Sequence, residues 1–588
     1  MRQLIVFFSI ALFCLSCEQT PNKKLIQNQV IINIDSLYSE VSILKRSIEE
    51  NQSEKNIKTA FCNARYAYKK VEYLSEYYFP TAAKSINGPA IQEFESEDSR
   101  IENPEGFQVI EPLLYPQYQL QNKKELIHQI AVLESNIGRL RSLTVNAELT
   151  DAHIFDALRL EVYRIITLGI TGFDSPIAQK SLKEAAYALE GMRESLAFYQ
   201  KNIPSKDETL LIEVFQLIEK MKTHLSNSSD FNSFNRATFI TELANPLSKK
   251  CYLIQKALLI PDFQETRPLK NTATTIFDEN AFDADAFTAF PEYKTTVPRI
   301  SLGKQLFYEV LFSGDNTRSC ASCHQESKAF TDGEVTSMSL DGKSRIKRNT
   351  PTILNAAFQR TLFYDSRVNY LEDQASDVIA NEAEMHGSIK KTIESIKKMP
   401  IYQEAFKKAY PKDSISEFLV KNALAIYMRS LGKLNSRFDK YMRGNKAALS
   451  PQEINGFNIF AGKGKCATCH FIPLTNGTVP PNFSKSESEV LGVPDKNNRM
   501  DSDLGKYYLT KATIHRNSFK TPTLRNINLT APYMHNGVFK SLEEVIDFYN
   551  KGGGWGLHFK MENQTLPQEA LKLTSDEKKA LILFLKAL

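Results

Sequence analysis

A dominant charge is the first thing this sequence lacks. Its 73 Lys and Arg residues nearly balance 68 Asp and Glu, leaving +5 on 588 residues. A nucleic-acid surface needs a larger and more clustered basic excess, so no nucleic-acid partner is expected. Long apolar runs are missing after the first fifteen residues, which leaves no second candidate for a membrane span. Glycine is scarce in one half: only six of the 24 glycines fall in residues 18–260, which therefore read as long helices. Tryptophan occurs once, at Trp555, and the stretch Gln325–Glu384 has no histidine.

What is present begins with the N-terminus, MRQLIVFFSIALFCLSCEQT. Arg2 supplies a positive start and Leu4–Leu15 a short apolar run, the pattern of an export signal. Leu15-Ser16-Cys17 resembles a bacterial lipoprotein cleavage box, so lipidation at Cys17 and a periplasmic, membrane-anchored protein are expected. An ordinary signal peptide with an incidental cysteine is the other reading. Of the eight cysteines, Cys62 and Cys251 belong neither to this signal nor to the motifs below. They either pair, as an oxidising compartment allows, or stay buried as thiols.

The remaining four cysteines carry the chemistry. SCASCHQ at Ser319–Gln325 and KCATCHF at Lys465–Phe471 repeat the pattern C-x-x-C-H. Paired cysteines serve zinc binding, thiol–disulfide exchange or covalent haem attachment. Four thiolates from both copies could close a zinc tetrahedron. Thiol exchange needs no histidine after the pair. Haem attachment uses all three residues: two sulfurs for the vinyl groups and the histidine as axial iron ligand. Two complete copies favour two c-type haems, held by Cys320, Cys323 and His324, and by Cys466, Cys469 and His470.

The expected fold class is mainly α. Residues 1–17 are the signal, 18–260 a helical bundle, 261–294 a linker, 295–443 the first haem domain and 444–588 the second. Asp174-Ser175-Pro176 reads as a helix start, with Leu182, Ala185, Leu189, Met192, Leu196 and Tyr199 as the apolar face that follows. Ser450-Pro451 reads as the cap and first turn of a helix leading into the second attachment loop.

NPEGFQVIEPLLY (Asn103–Tyr115) and ARYAYKKVEY (Ala64–Tyr73) resemble the imelysin-like family of exported helical proteins. Its proposed metal motif, G-x-H-x-x-E, falls on Gly106, Gln108 and Glu111; glutamine in place of histidine speaks against metal binding.

The C-terminal half resembles the bacterial di-haem cytochrome c peroxidase family, which includes the MauG branch. The resemblance rests on ordered blocks: Leu302–His324, Arg348–Arg367, Leu371–Ala375, Asn381–Met385, Phe519–Phe539 and Leu542–Gly553. It implies two cytochrome c-like helical domains, one haem in each. It implies Glu384 as the acid–base carboxylate over the first haem, with Gln374 lining the same pocket and Tyr364 in the electron path between the haems. It implies a distal ligand on the second haem from Tyr549, with Met534 competing, and a calcium ion held by Asn349, Thr530 and Pro532. Many members close the first iron with a second histidine from the loop after the motif. The histidine-free stretch predicts an open first iron at rest, and His386 is read as a surface or supporting residue.

The function so implied is peroxide reduction with electrons from a small exported c-type cytochrome or copper protein. A MauG-like oxidation of residues in a partner protein is the alternative, and an electron carrier or peroxide sensor a third reading from another class.

Overall fold

The computed structural model describes residues 21–588 apart from 96, 229 and 264. The export signal and the lipidation expected at Cys17 lie outside the described residues. The described residues are mainly α-helical, with two short two-stranded sheets among them.

The N-terminal half is a bundle built on Asn22–Glu49, Glu54–Tyr78, Lys123–Val145, Asp151–Arg164, Ser181–Ala197, Glu208–Ser226 and Asn245–Ala257. Polar caps start several of these helices; Ser53 and Thr150 each accept a backbone N–H of the first turn. The bundle is not purely helical: Glu93–Glu95 and Arg100–Glu102 form an antiparallel hairpin. The apolar face Leu182 to Tyr199 is buried as its spacing predicts. Its helix, however, starts at Ser181 rather than at Pro176. Ser175, the expected cap, and its neighbour Asp174 both have their side chains engaged elsewhere. The Ser175 hydroxyl donates to Glu111 Oε1 at 3.0 Å. Asp174 is buried in ion pairs with Lys69 at 2.8 Å and Arg164 at 2.7 Å. Arg65–Glu184 at 2.5 Å and Lys69–Glu72 at 2.6 Å extend this network inside the bundle. Cys62 and Cys251 are both free thiols.

Residues 261–294 are mostly irregular, but their apolar side chains are core. Leu269, Ala273, Ile276, Phe277, Ala281 and Phe282 are buried. Phe277 packs edge-on against Phe438, and Phe282 against Phe358 and Phe483. Arg267 clamps Asp156 of the bundle through two bonds of 2.6 and 2.7 Å.

The two haem-motif domains repeat one packing device. Helix Val297–Phe307 crosses Glu417–Ser430, and helix Pro451–Phe460 crosses Ser575–Leu585. A glycine sits at each crossing. A Cβ on Gly303 would stand 2.0 Å from the Ala423 carbonyl oxygen, and one on Gly456 the same 2.0 Å from that of Ala580. Only a residue without a side chain lets the backbones approach so closely. Ser450 caps Pro451–Phe460 as the sequence suggests, and Glu453 answers it to complete a capping box.

Burial divides the molecule differently from the chain order. The bundle, residues 269–282, the second haem-motif domain and, from the first, Phe358, Leu434, Phe438, Tyr441 and Met442 share one continuous apolar core. The first haem-motif domain, from Leu302 to Met428, has a core of its own.

Candidate functional site

Each C-x-x-C-H sits on a single tight turn that presents its histidine in a defined way. Cys320–Cys323 is one helical turn, capped by Ser319 and Ser322. His324 Nδ1 donates to the Phe330 carbonyl at 2.9 Å. A carbonyl only accepts, so the proton is on Nδ1 and the Nε2 lone pair is free for a metal. His470 repeats this, with Nδ1 donating to the Pro522 carbonyl at 3.1 Å. Burial lowers both imidazoles, His470 to about 4, so both stay neutral, as ligands must be. Burial likewise pushes the Cys320 and Cys466 thiols up to about 12.

The zinc alternative requires the thiols of both copies to converge. Among the described residues no group of three or more His, Cys, Asp or Glu side chains is arranged to hold a metal ion. Two separate turns, each with two thiols and an oriented neutral histidine, fit one c-type haem apiece.

Glu384 lies on the first of these sites. Its charge acts on Cys323, and its Oε1 accepts from Asn381 Nδ2 at 2.8 Å. Burial raises its pKa, while Arg367 opposes the rise. The backbone of this turn is pinned: Leu340 N–H and the Ser339 hydroxyl both donate to the Ala383 carbonyl, at 2.8 and 2.9 Å. Gln374 is half-buried on helix Leu371–Ala380, and no hydrogen bond joins it to Glu384. That helix is anchored from behind by Glu372, which takes two 2.8 Å bonds from buried Arg429. His386 is exposed, with φ +45°.

Tyr364 lies on the segment between the two sites. Its hydroxyl approaches Asn349 Oδ1 at 3.4 Å, and its carbonyl accepts from Lys520 N–H at 2.7 Å. Burial raises the phenol. Arg348, next to Asn349, bridges Asp365 at 2.7 Å and Asp503 at 2.7 Å, tying the two domains together. Asn349 N–H donates to the His535 carbonyl at 2.7 Å, so Asn349 adjoins the loop of Thr530 and Pro532. The Thr530 hydroxyl is turned to the Ile527 carbonyl at 3.2 Å.

Around the second site, Tyr549 is placed by helix Leu542–Asn550, and its phenol is raised by burial and by the nearby Cys469, Cys466 and Glu489. It therefore lies near the second cysteine pair. Met534, with φ +74°, is half-buried on the neighbouring loop.

Sequence reasoning missed the contribution of the bundle. Arg236 lies so close to Gly462 that a Cβ there would be 2.6 Å from the guanidinium. Phe173 packs edge-on against Phe471 at 5.8 Å, and Asn458 Oδ1 accepts from Ala237 N–H at 3.0 Å. The glycines of AGKGKC were the available signal, since close approach by another element is one reason for glycine at such positions. The imelysin-like positions are buried: Gly106 has φ +95°, and Glu111 Oε1 accepts from Ser175 and from Ala178 N–H at 2.9 Å.

Comparison with known proteins finds its matches in the C-terminal half. Residues 298–447 match the family model of the di-haem cytochrome c peroxidases. The cytochrome-c peroxidase IdrP2 of Denitromonas iodatirespirans is 34% identical over 319 residues, covering 51% of this chain and 84% of its own. The methylamine utilization protein MauG of Methylorubrum extorquens is 31% identical over 294 residues, 50% of this chain and 78% of its own. A solved MauG-like protein associated with microbial copper homeostasis aligns at 29% identity over 50% of this chain and 90% of its own, with a TM-score of 0.44.

Proposed function

The chain belongs to the di-haem cytochrome c peroxidase family, and we propose that it reduces hydrogen peroxide at the site of His324 with electrons from a small exported redox protein. Cys320, Cys323 and His324 would hold one haem, and Cys466, Cys469 and His470 the other. Bound there, the haems supply the redox-active iron. The protein's own part is to move protons. Reducing one peroxide to two waters takes two electrons and two protons. The observation that carries the reading is Glu384, half-buried beside Cys323 and steadied by Asn381. As a carboxylate it takes the proton from one peroxide oxygen and returns it to the other, which leaves as water. Gln374, on the anchored helix, orients the peroxide. Tyr364, which accepts a bond from the second domain, marks the electron path.

The test mixes the fully oxidised protein with peroxide and a reduced small c-type cytochrome. Turnover without pre-reduction is expected, because no histidine follows the first motif before Glu384. Glu384→Gln is expected to lose turnover by about 10²–10⁴-fold. Full turnover in that variant would reject the reading.

The position of Tyr549 favours a second reading. A phenolate ligand stabilises oxidised iron, which suits a MauG-like enzyme that stores oxidising equivalents and oxidises a partner protein. A long-lived oxidised spectrum after peroxide, without donor turnover, would select it. The remaining parts of the proposal are a calcium ion at Asn349, Thr530 and Pro532, a periplasmic location with a lipid anchor at Cys17, and an imelysin-like origin for residues 18–260. Asn349 beside the His535 carbonyl supports the first. No helix among the described residues is long and apolar enough to cross a membrane.

A further inference from the structure

Lys520 ends the strand Ser518–Lys520 and is 8% exposed, buried between the two haem domains. Both ends of the residue hold the segment that carries Tyr364. Its N–H donates to the Tyr364 carbonyl at 2.7 Å, and its ammonium donates to the Gln359 side-chain carbonyl. Its charge reaches His470. Burial draws its own pKa down to about 8, with no opposing carboxylate among the described residues.

The carboxylates nearby are committed or face away. Asp365 is held by Arg348 at 2.7 Å and Arg367 at 3.0 Å. Glu489, on the partner strand, stands opposite Phe519, so it lies on the other face of the ribbon; Lys520 stands opposite Ser488. Other buried cations of this chain are compensated. Lys69 has Glu72 and Asp174, Arg525 has Asp439, and Arg236 has three backbone carbonyls. Lys520 has one neutral amide oxygen. A buried ammonium in that state is costly, and an anion from outside the polypeptide would offset the cost. Haem carries two carboxylates, and it is on His470 of the attachment turn Cys466–His470 that the charge of Lys520 acts.

We propose that Lys520 is the counter-charge for a propionate of the second haem, with Gln359 fixing the ammonium's direction from the first domain. The inference rests on the reading of Cys466–His470 as a haem site. Lys520 is then a positioning residue that sets the second haem's potential. A fixed positive charge favours the reduced iron, so its removal lowers the potential.

The experiment compares wild type, Lys520→Met and Lys520→Arg as full-length haem-loaded protein, with each haem's midpoint potential followed by spectroelectrochemistry. Lys520→Met is expected to lower the second haem's reduction equilibrium constant at least tenfold, about 59 mV for a one-electron couple. Lys520→Arg is expected to retain the wild-type value, and the first haem to stay unchanged. An unaltered second potential, or a shift confined to the first haem, overturns the proposal. Should Lys520→Met fail to take up haem, resonance Raman of wild type decides. A paired propionate shifts its bending mode when exchangeable protons become deuterons, and an unshifted mode overturns the proposal. Covalent haem per chain, measured by mass, separately tests whether the second site holds haem at all.

Discussion

In the role proposed for it, Glu384 must accept a proton before it can give one away, and its surroundings set the pH at which it can. Burial raises its pKa above the ordinary carboxylate value. Peroxide turnover is therefore expected to fall as the pH drops through that raised pKa, because the protonated acid cannot act as a base. A pH–rate profile checks this, and Glu384→Gln should abolish the acidic limb along with most of the rate. Asp174 is the contrasting carboxyl. Burial alone would raise it, yet Arg164 and Lys69 hold it well below the usual range. Its contribution to stability is present above the unfolded pKa of about 3.9 and is lost as the pH falls further toward the folded value. Asp174→Ala leaves two buried cations short of a partner. It is expected to cost about 3–5 kcal/mol, measured by denaturant unfolding near neutral pH. At this scale the attachment residues were plain in the sequence, because covalent chemistry fixes their spacing. Lys520 was not, since its distinction is the lack of an anionic partner among the described residues, and only the fold reveals that.

At the scale of elements, the two glycine crossings invite direct comparison. Gly303→Ala and Gly456→Ala each place a methyl group against a carbonyl oxygen. Each is expected to cost about 1–3 kcal/mol through forced separation of the helices. Thermal unfolding monitored at the Soret band should show the first acting on the first haem domain and the second on the other. The helix from Pro451 was legible because its cap, its proline and its Glu453 all lie within four residues. The helix at Ser181 was displaced from the expected start because Asp174 and Ser175 spend their side chains on partners far along the chain. Local pattern cannot see such partners. The hairpin at 93–102 was missed for a related reason: three-residue strands leave too little alternation to read.

At the scale of the whole molecule, the shared core predicts how the protein comes apart. The bundle and the second haem domain should unfold together, and the first haem domain separately. Differential scanning calorimetry with limited proteolysis should yield a fragment near residues 295–430 rather than a free bundle. Composition suggested a break between a glycine-poor half and a glycine-rich half. Packing puts the division elsewhere, because Phe277 and Phe282 of the linker dock on Phe438 and Phe483.

The position of Arg236 over Gly462, with Phe173 against Phe471, also bears on how the protein matures. The bundle leaves the ribosome first, but its finished form lies across the loop that must receive the second haem. Thioether formation at Cys466 and Cys469 needs that loop open. The earliest-made part of the chain is therefore expected to dock last, after the second haem is attached, and limited proteolysis of the haem-free chain should cut the bundle more readily than in the haem-loaded one.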